Sequence, residues 1–143
     1  MKIYINTSVL SINKLDVNTR WRLANNPNTT VHDLIVLAKD KSSDVRAEVA
    51  RNANTPSEVL SKLAKSRNYN ILRRVAANSN TLPDDLQHIY HMVKDIYELY
   101  YSSTIEEALA RNPNTPTDVI NELSHIYGPI GEYAKKHPNY TGG

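Results

Sequence analysis

A four-residue signature, Asn-x-Asn-Thr, recurs along this chain and restricts it to a repeat architecture. It stands at Asn26-Pro27-Asn28-Thr29, Asn52-Ala53-Asn54-Thr55, Asn78-Ser79-Asn80-Thr81 and Asn112-Pro113-Asn114-Thr115. The leading asparagines are 26, 26 and 34 residues apart, and degenerate copies lie at Asn6-Thr7 and at His137-Pro138-Asn139-Tyr140-Thr141. A period of this size marks one supersecondary unit that cannot bury its apolar side alone and gains stability by stacking on its neighbours. The 143 residues then form a single domain of about five units, 1–25, 26–51, 52–77, 78–111 and 112–136, with a partial cap at 137–143.

The spacing of apolar residues within the units is helical. Six residues after the second asparagine of each signature stands Ile12, Leu34, Leu60, Leu86 or Ile120, and three further on stands Leu15, Leu37, Leu63, Ile89 or Leu123. Aliphatic pairs at i and i+3 are a helix seam, because alternate residues of a strand would point to opposite faces. A second, shorter helix is expected before each Asn turn, at 20–24, 44–51, 70–77 and 104–111. Its seam is Val45/Val49, Ile71/Val75 and Ile105/Leu109, with Ala24, Ala50, Ala76 and Ala110 at one aligned, closely packed position. The fold class is therefore all-α, a short helical-repeat solenoid in which a long α-helix alternates with a short α or 3₁₀ helix.

Turn chemistry sets the expected helix starts. Thr55 and Thr115 read as N-caps, with Pro56 and Pro116 at the first helical position, where a missing N–H costs nothing, and with Glu58 and Asp118 at the third. Thr81 opens a similar helix, with Asp84 and Asp85 in the first turn facing the positive end of its dipole. Asparagine also closes tight turns and tolerates left-handed backbone, so the paired asparagines are read as structural.

The run Asp44-Val45-Arg46, Val49-Ala50-Arg51-Asn52-Ala53-Asn54-Thr55-Pro56, with Leu60 and Leu63-Ala64 following, resembles the leucine-rich repeat variant family of bacterial and bacteriophage proteins. That resemblance covers most of the chain. It implies alternating α and 3₁₀ helices in a right-handed superhelix distantly like HEAT repeats, and a binding scaffold rather than a defined reaction. The arginine of the family's Val-Arg pair survives only as Arg46 and, by register, Arg20, with Leu72 and Glu106 at the matching places. The N-terminal iron–sulfur module of some relatives needs cysteines that this chain does not have.

Composition narrows the chemistry further. With no cysteine, the chain forms no disulfide, thiolate metal site or cysteine nucleophile. No Gly-rich phosphate loop, nucleophile elbow or Ser-His-Asp arrangement is present, so no enzyme activity and no cofactor are expected. The first residues lack a secretory signal and no stretch is long enough to span a membrane, which predicts a cytoplasmic protein of a bacterium or of a phage-infected host. Net charge is only +2, but Lys and Arg exceed Asp and Glu by seven up to Leu82 and fall short by five beyond it. Opposite-charge ends permit a charged partner at one end or head-to-tail self-association.

Two groups of residues compete as binding sites. The eight extra residues between the third and fourth turns fall within 84–101, where Leu86, Ile89, Tyr90, Val93, Ile96, Tyr97 and Tyr100 keep helical spacing. They predict an extension of about two turns to the third long helix, over roughly 84–101, that overhangs the stack. Tyr90, Tyr97, Tyr100 and Tyr101 at its end form a candidate protein-binding surface, since tyrosine joins large contact area to a polar tip. They could equally complete the core. The second group, Arg20, Trp21, Arg22, Arg46, Arg73 and Arg74, aligns along the second helices as a basic ribbon for nucleic acid or an acidic partner. Solvated faces and inter-repeat ion pairs, such as Glu48 with Arg74, are the competing and favoured explanation. His88, His91 and Asp95 share a helix face but make an incomplete metal-ligand set, so no metal is assigned. The leading expectation is a protein-binding adaptor or inhibitor, with nucleic-acid binding through the basic ribbon second.

Overall fold

The computed structural model describes residues 9–96 and 99–143, and the side chains of residues 11–95 and 102–143. The described chain is all-helical, and its helices alternate between two layers. The inner layer holds the helices that precede each Asn turn: α2 (Val17–Asn25), α4 (Ser43–Arg51), α6 (Tyr69–Ala77), α8 (Leu99–Arg111) and α10 (Pro129–Lys135). The outer layer holds those that follow a turn: α3 (Val31–Leu37), α5 (Ser57–Leu63), α7 (Pro83–Ile96) and α9 (Thr117–Leu123), with α1 (Val9–Ile12) beside α3. Consecutive inner helices pack directly on one another, whereas α3, α5, α7 and α9 are held mainly by the inner layer.

The aliphatic seams lie where the sequence places them. Ile12, Leu34, Leu37, Leu60, Leu63, Leu86, Ile89, Ile120 and Leu123 are buried from the outer layer, and Val45, Val49, Ile71, Val75, Ile105 and Leu109 from the inner one. Ala24, Ala50, Ala76 and Ala110 are buried at the aligned inner position, where a larger side chain would push neighbouring units apart.

Three local features differ from the sequence expectation. The helices before the turn are the longer ones, nine residues in α2, α4 and α6 against seven in α3, α5 and α9. The outer helices are shortened because their last turn tightens into 3₁₀-type bonds, as in Lys39 N–H to the Val36 carbonyl and Asp40 N–H to the Leu37 carbonyl. Polar side chains then reverse the chain: Asp40 accepts from Ser42 N–H at 2.8 Å, and Ser66 accepts from Asn68 N–H at 3.1 Å.

The capping threonines have another role. Helices α5 and α9 start one residue later than expected, with Pro56 and Pro116 at the N-cap. Thr29, Thr55, Thr81 and Thr115 are buried, and each hydroxyl donates backwards to the carbonyl six residues earlier, of Leu23, Val49, Val75 and Leu109, at 2.5 to 2.7 Å. The end of a helix leaves carbonyls without intrahelical donors, and the threonine supplies one. Where the sequence carries a second threonine in place of proline, Thr30 caps α3 by accepting from Asp33 N–H at 3.2 Å.

The long insertion is shared between two helices. Helix α7 ends at Ile96 and Leu99 already belongs to α8, so the added residues lengthen α7 to fourteen residues and α8 to thirteen. The expected extended helix over roughly 84–101 includes residues 97 and 98, which lie outside the described residues; what differs is that α8 has begun by Leu99, ahead of the expected 104.

Candidate macromolecule interface

The asparagines hold the frame on which any site is carried. In each turn the leading asparagine accepts from the N–H two residues on, as Asn52 Oδ1 does from Asn54 N–H at 2.9 Å, closing an Asx turn. Its amide also reaches across the repeat: Asn52 Nδ2 donates to the Ala24 and Asn26 carbonyls, Asn78 Nδ2 to Ala50 and Asn52, and Asn112 Nδ2 to Ala76 and Asn78. The second asparagine repeats the pattern, with Asn80 Nδ2 donating to the Ala53 and Thr55 carbonyls and Asn114 Nδ2 to Ser79 and Thr81. At the last turn His137 takes the asparagine's place, accepting at Nδ1 from Asn139 N–H at 3.0 Å and bonding through Nε2 to the Asn112 carbonyl at 2.8 Å. The turn asparagines use ordinary extended backbone, and no non-glycine residue among those described has positive φ. The left-handed conformation expected at these turns is unnecessary because side chains satisfy the helix ends.

With their backs fixed in this way, the inner helices present one face to solvent, and arginine dominates it. Arg51 on α4, Arg73, Arg74 and Ala77 on α6, and Thr104, Glu107 and Arg111 on α8 line an open groove of about 460 Å³. Arg74 Nη2 lies 3.2 Å from the Glu48 carboxylate and Arg51 Nη1 lies 3.5 Å from it, with Glu48 itself buried. The Nε of Arg74 is buried without a hydrogen-bond partner among the described residues, and the contact with Glu48 holds this side chain by one end. Arg111 pairs with Glu107 at 2.9 Å and sits 3.9 Å from the centre of the Tyr133 ring. Arg73 makes no ion pair or hydrogen bond among the described residues. Four arginines against Glu48 and Glu107 leave the groove with an excess of two positive charges.

Beside this groove, a second hollow of about 400 Å³ is lined by Trp21, Asp44, Ala47, Glu48 and Asn70 and shares Arg74 with it. Trp21 is 38% exposed there. The two hollows meet at Arg74, and together they make up the inner trough, with Trp21 on α2 in one and the arginines of α4, α6 and α8 in the other.

The structure separates the six residues of the expected basic ribbon. Trp21, Arg22, Arg73 and Arg74 lie at exposed or half-buried positions of the inner layer, although Arg22 lines neither hollow. Arg20 and Arg46 turn away from the face. Arg20 is buried, with Nε 2.6 Å from Asp40 Oδ2 and Nη1 donating to the Leu15 carbonyl. Arg46 donates to the backbone carbonyl of Asp40. Burial would push the Asp40 carboxyl up, but the bonds from Arg20 and from Ser42 N–H outweigh it and hold the group below the usual carboxylate range. These two arginines therefore tie the inner layer to the turn at Asp40.

The expected tyrosine surface fares differently. Tyr90 is 5% exposed, packed in the core, and its hydroxyl donates to Glu122 at 2.9 Å. Burial and the neighbouring Glu122 push the tyrosine's ionisation up, while hydrogen bonds from Lys94 and Tyr90 hold Glu122 down. Tyr90 is thus a core residue that locks α7 to α9. Tyr97 and the side chains of Tyr100 and Tyr101 lie outside the described residues. Among the described residues no three His, Asp or Glu side chains converge as metal ligands, His88, His91 and Asp95 included.

Arg51 and Arg111 are the groove residues that sequence reasoning passed over, because each directly precedes an Asn turn and reads as part of the repeat. Register carried the signal: positions 25, 51, 77 and 111 align one helical turn beyond 21/22, 47/48, 73/74 and 107/108, on the same face. No helix among the described residues is long and apolar enough to cross a membrane. No family model, curated protein or solved structure matches the chain.

Proposed function

We propose that the chain is a non-catalytic protein-binding module, an adaptor or inhibitor, that receives an acidic segment of its partner in the inner trough. The observation that carries this reading is the groove between α4, α6 and α8, where four arginines converge and Arg73 has no carboxylate of its own among the described residues. Arginine and tryptophan supply much of the energy at protein interfaces, through planar hydrogen-bonding forks and rigid apolar area. The repeat's resemblance to a binding scaffold points the same way.

An extended nucleic-acid backbone is the less favoured occupant. Arg20 and Arg46 are committed to Asp40, and Asp44, Glu107 and Glu132 interrupt the face with negative charge. A short run of carboxylates fits a localised cluster better than a long phosphodiester does.

Affinity capture from nuclease-treated bacterial extract, with the wild-type chain beside Arg73→Glu and Ala77→Glu, tests the proposal. Both substitutions place a negative charge in the groove without removing a buried contact. The expected result is a protein partner retained by the wild type and lost by both variants at unchanged circular dichroism. Capture that disappears on nuclease treatment, or that both variants retain, contradicts it.

A further inference from the structure

We infer that the groove between α3 and α5, on the outer layer, is a second binding site that takes a peptide segment carrying an aliphatic side chain flanked by carboxylates. The inference stands apart from the reading of the inner trough and does not depend on it.

From α5 onward, consecutive outer helices are joined by side chains. Ser61 on α5 donates to Asp85 on α7 at 2.5 Å. From α7, Gln87 donates to Asp118 on α9, while Tyr90 and Lys94 both donate to Glu122. Beyond α9, Asn121 donates to the Thr141 hydroxyl at 2.8 Å. Between α3 and α5 the place of the Ser61–Asp85 bond is apolar. One repeat earlier than Ser61 and Asp85, the corresponding residues are Ile35 and Val59. An apolar pair stands where the next interval has a hydrogen bond, and Ile35 remains 40% exposed.

The resulting hollow, about 330 Å³, has Ile35, Val59 and Leu63 as its apolar lining and Lys39, Lys62 and Lys65 around it. Arg46 also lines it while donating to the Asp40 carbonyl. No acidic residue lines the hollow, and none of the three lysines has an ion pair among the described residues. Lysines gathered on one gap repel one another, so carboxylates supplied from outside relieve that repulsion while an aliphatic side chain covers Ile35, with the buried Val59 and Leu63 behind it. Charge complementarity combined with an apolar floor favours a peptide over a phosphodiester, which offers anions without an aliphatic group between them.

Amide chemical-shift mapping on the full ¹⁵N-labelled chain tests this, with the peptide Glu-Leu-Glu-Leu-Glu as probe and Gln-Leu-Gln-Leu-Gln, Glu-Ala-Glu-Ala-Glu and a short DNA duplex as comparisons. Shifts from the first peptide are expected to centre on Ile35, Val59, Lys62 and Lys65, with affinity at least ~tenfold lower for either substituted peptide. Lys62→Glu combined with Lys65→Glu should abolish those shifts, and so should Ile35→Asp, a separate change at an exposed position. Arg73→Glu should leave them intact, which separates this site from the inner trough. Absent or scattered shifts, equal binding of the glutamine peptide, or stronger perturbation of the same amides by DNA would overturn the inference.

Discussion

The side chain of Asn78 donates to the backbone carbonyl of Asn52, 26 residues earlier, at 3.1 Å, while Asn52 in turn donates to the carbonyl of Asn26 at 2.9 Å. Each unit is thereby stitched to the one before it through the same atom of the same residue. Removing one member leaves two buried carbonyls, those of Ala50 and Asn52, without that donor. Asn78→Ala is expected to cost about 1 to 3 kcal/mol, since the buried Ala50 carbonyl loses this donor while the Asn52 carbonyl keeps the Thr55 N–H. Asn26→Ala, at an exposed residue whose amide donates to no earlier unit among the described residues, should cost clearly less. Urea unfolding of the two variants measures the difference, and equal losses would mean that the stacked amides do not carry the frame.

At the last turn His137 stands where the other turns have asparagine, and its Nε2 reaches one carbonyl, that of Asn112, where Asn112 itself reaches two. His137→Asn can rebuild the double contact by adding the Ala110 carbonyl. It should match or exceed wild-type stability, and His137→Ala should fall about 1 to 2 kcal/mol below it. Thermal unfolding followed by circular dichroism checks the order of the three proteins.

The Arg20–Asp40 pair makes stability depend on pH in one direction. Asp40 is held below its unfolded value of about 3.9, so its contribution is complete above that pH and is lost as pH falls through the folded value. The urea midpoint of the wild type should therefore drop steeply below about pH 4. Asp40→Asn should be less stable at neutral pH and flatter across the acidic window. A variant with the same acid slope as wild type would show that Asp40 is not the group responsible.

Much of the fold was legible in the sequence because it rests on period and residue type. Leu60 and Leu63 or Val45 and Val49 announce a seam by spacing alone, and all four are buried. The register of the turns was equally plain. What spacing does not encode is the direction of a polar side chain. Thr55 has the residue type and position of an N-cap, yet its hydroxyl serves the preceding helix because that helix end is the buried one. Arg20 stands at the register position of Arg46 and Leu72 and Arg73 at that of Trp21 and Ala47, yet the type of residue does not reveal that Asp40, twenty residues on, takes the guanidinium of Arg20 and holds it buried. Tyr90 was legible as an apolar residue at helical spacing and equally as an interface residue. Glu122, 32 residues away, settles the choice by taking its hydroxyl.

The central claim, that acidic protein segments enter the inner trough, is tested most directly through Trp21, the chain's single tryptophan, which lines the trough beside Arg74. A glutamate-rich peptide titrated at low salt should change the Trp21 fluorescence saturably, and the change should weaken as salt rises. It should vanish in Arg73→Glu and Ala77→Glu and persist when Lys62 and Lys65 are reversed. Fluorescence that never responds to the peptide, or that responds equally in both trough variants, would contradict the account.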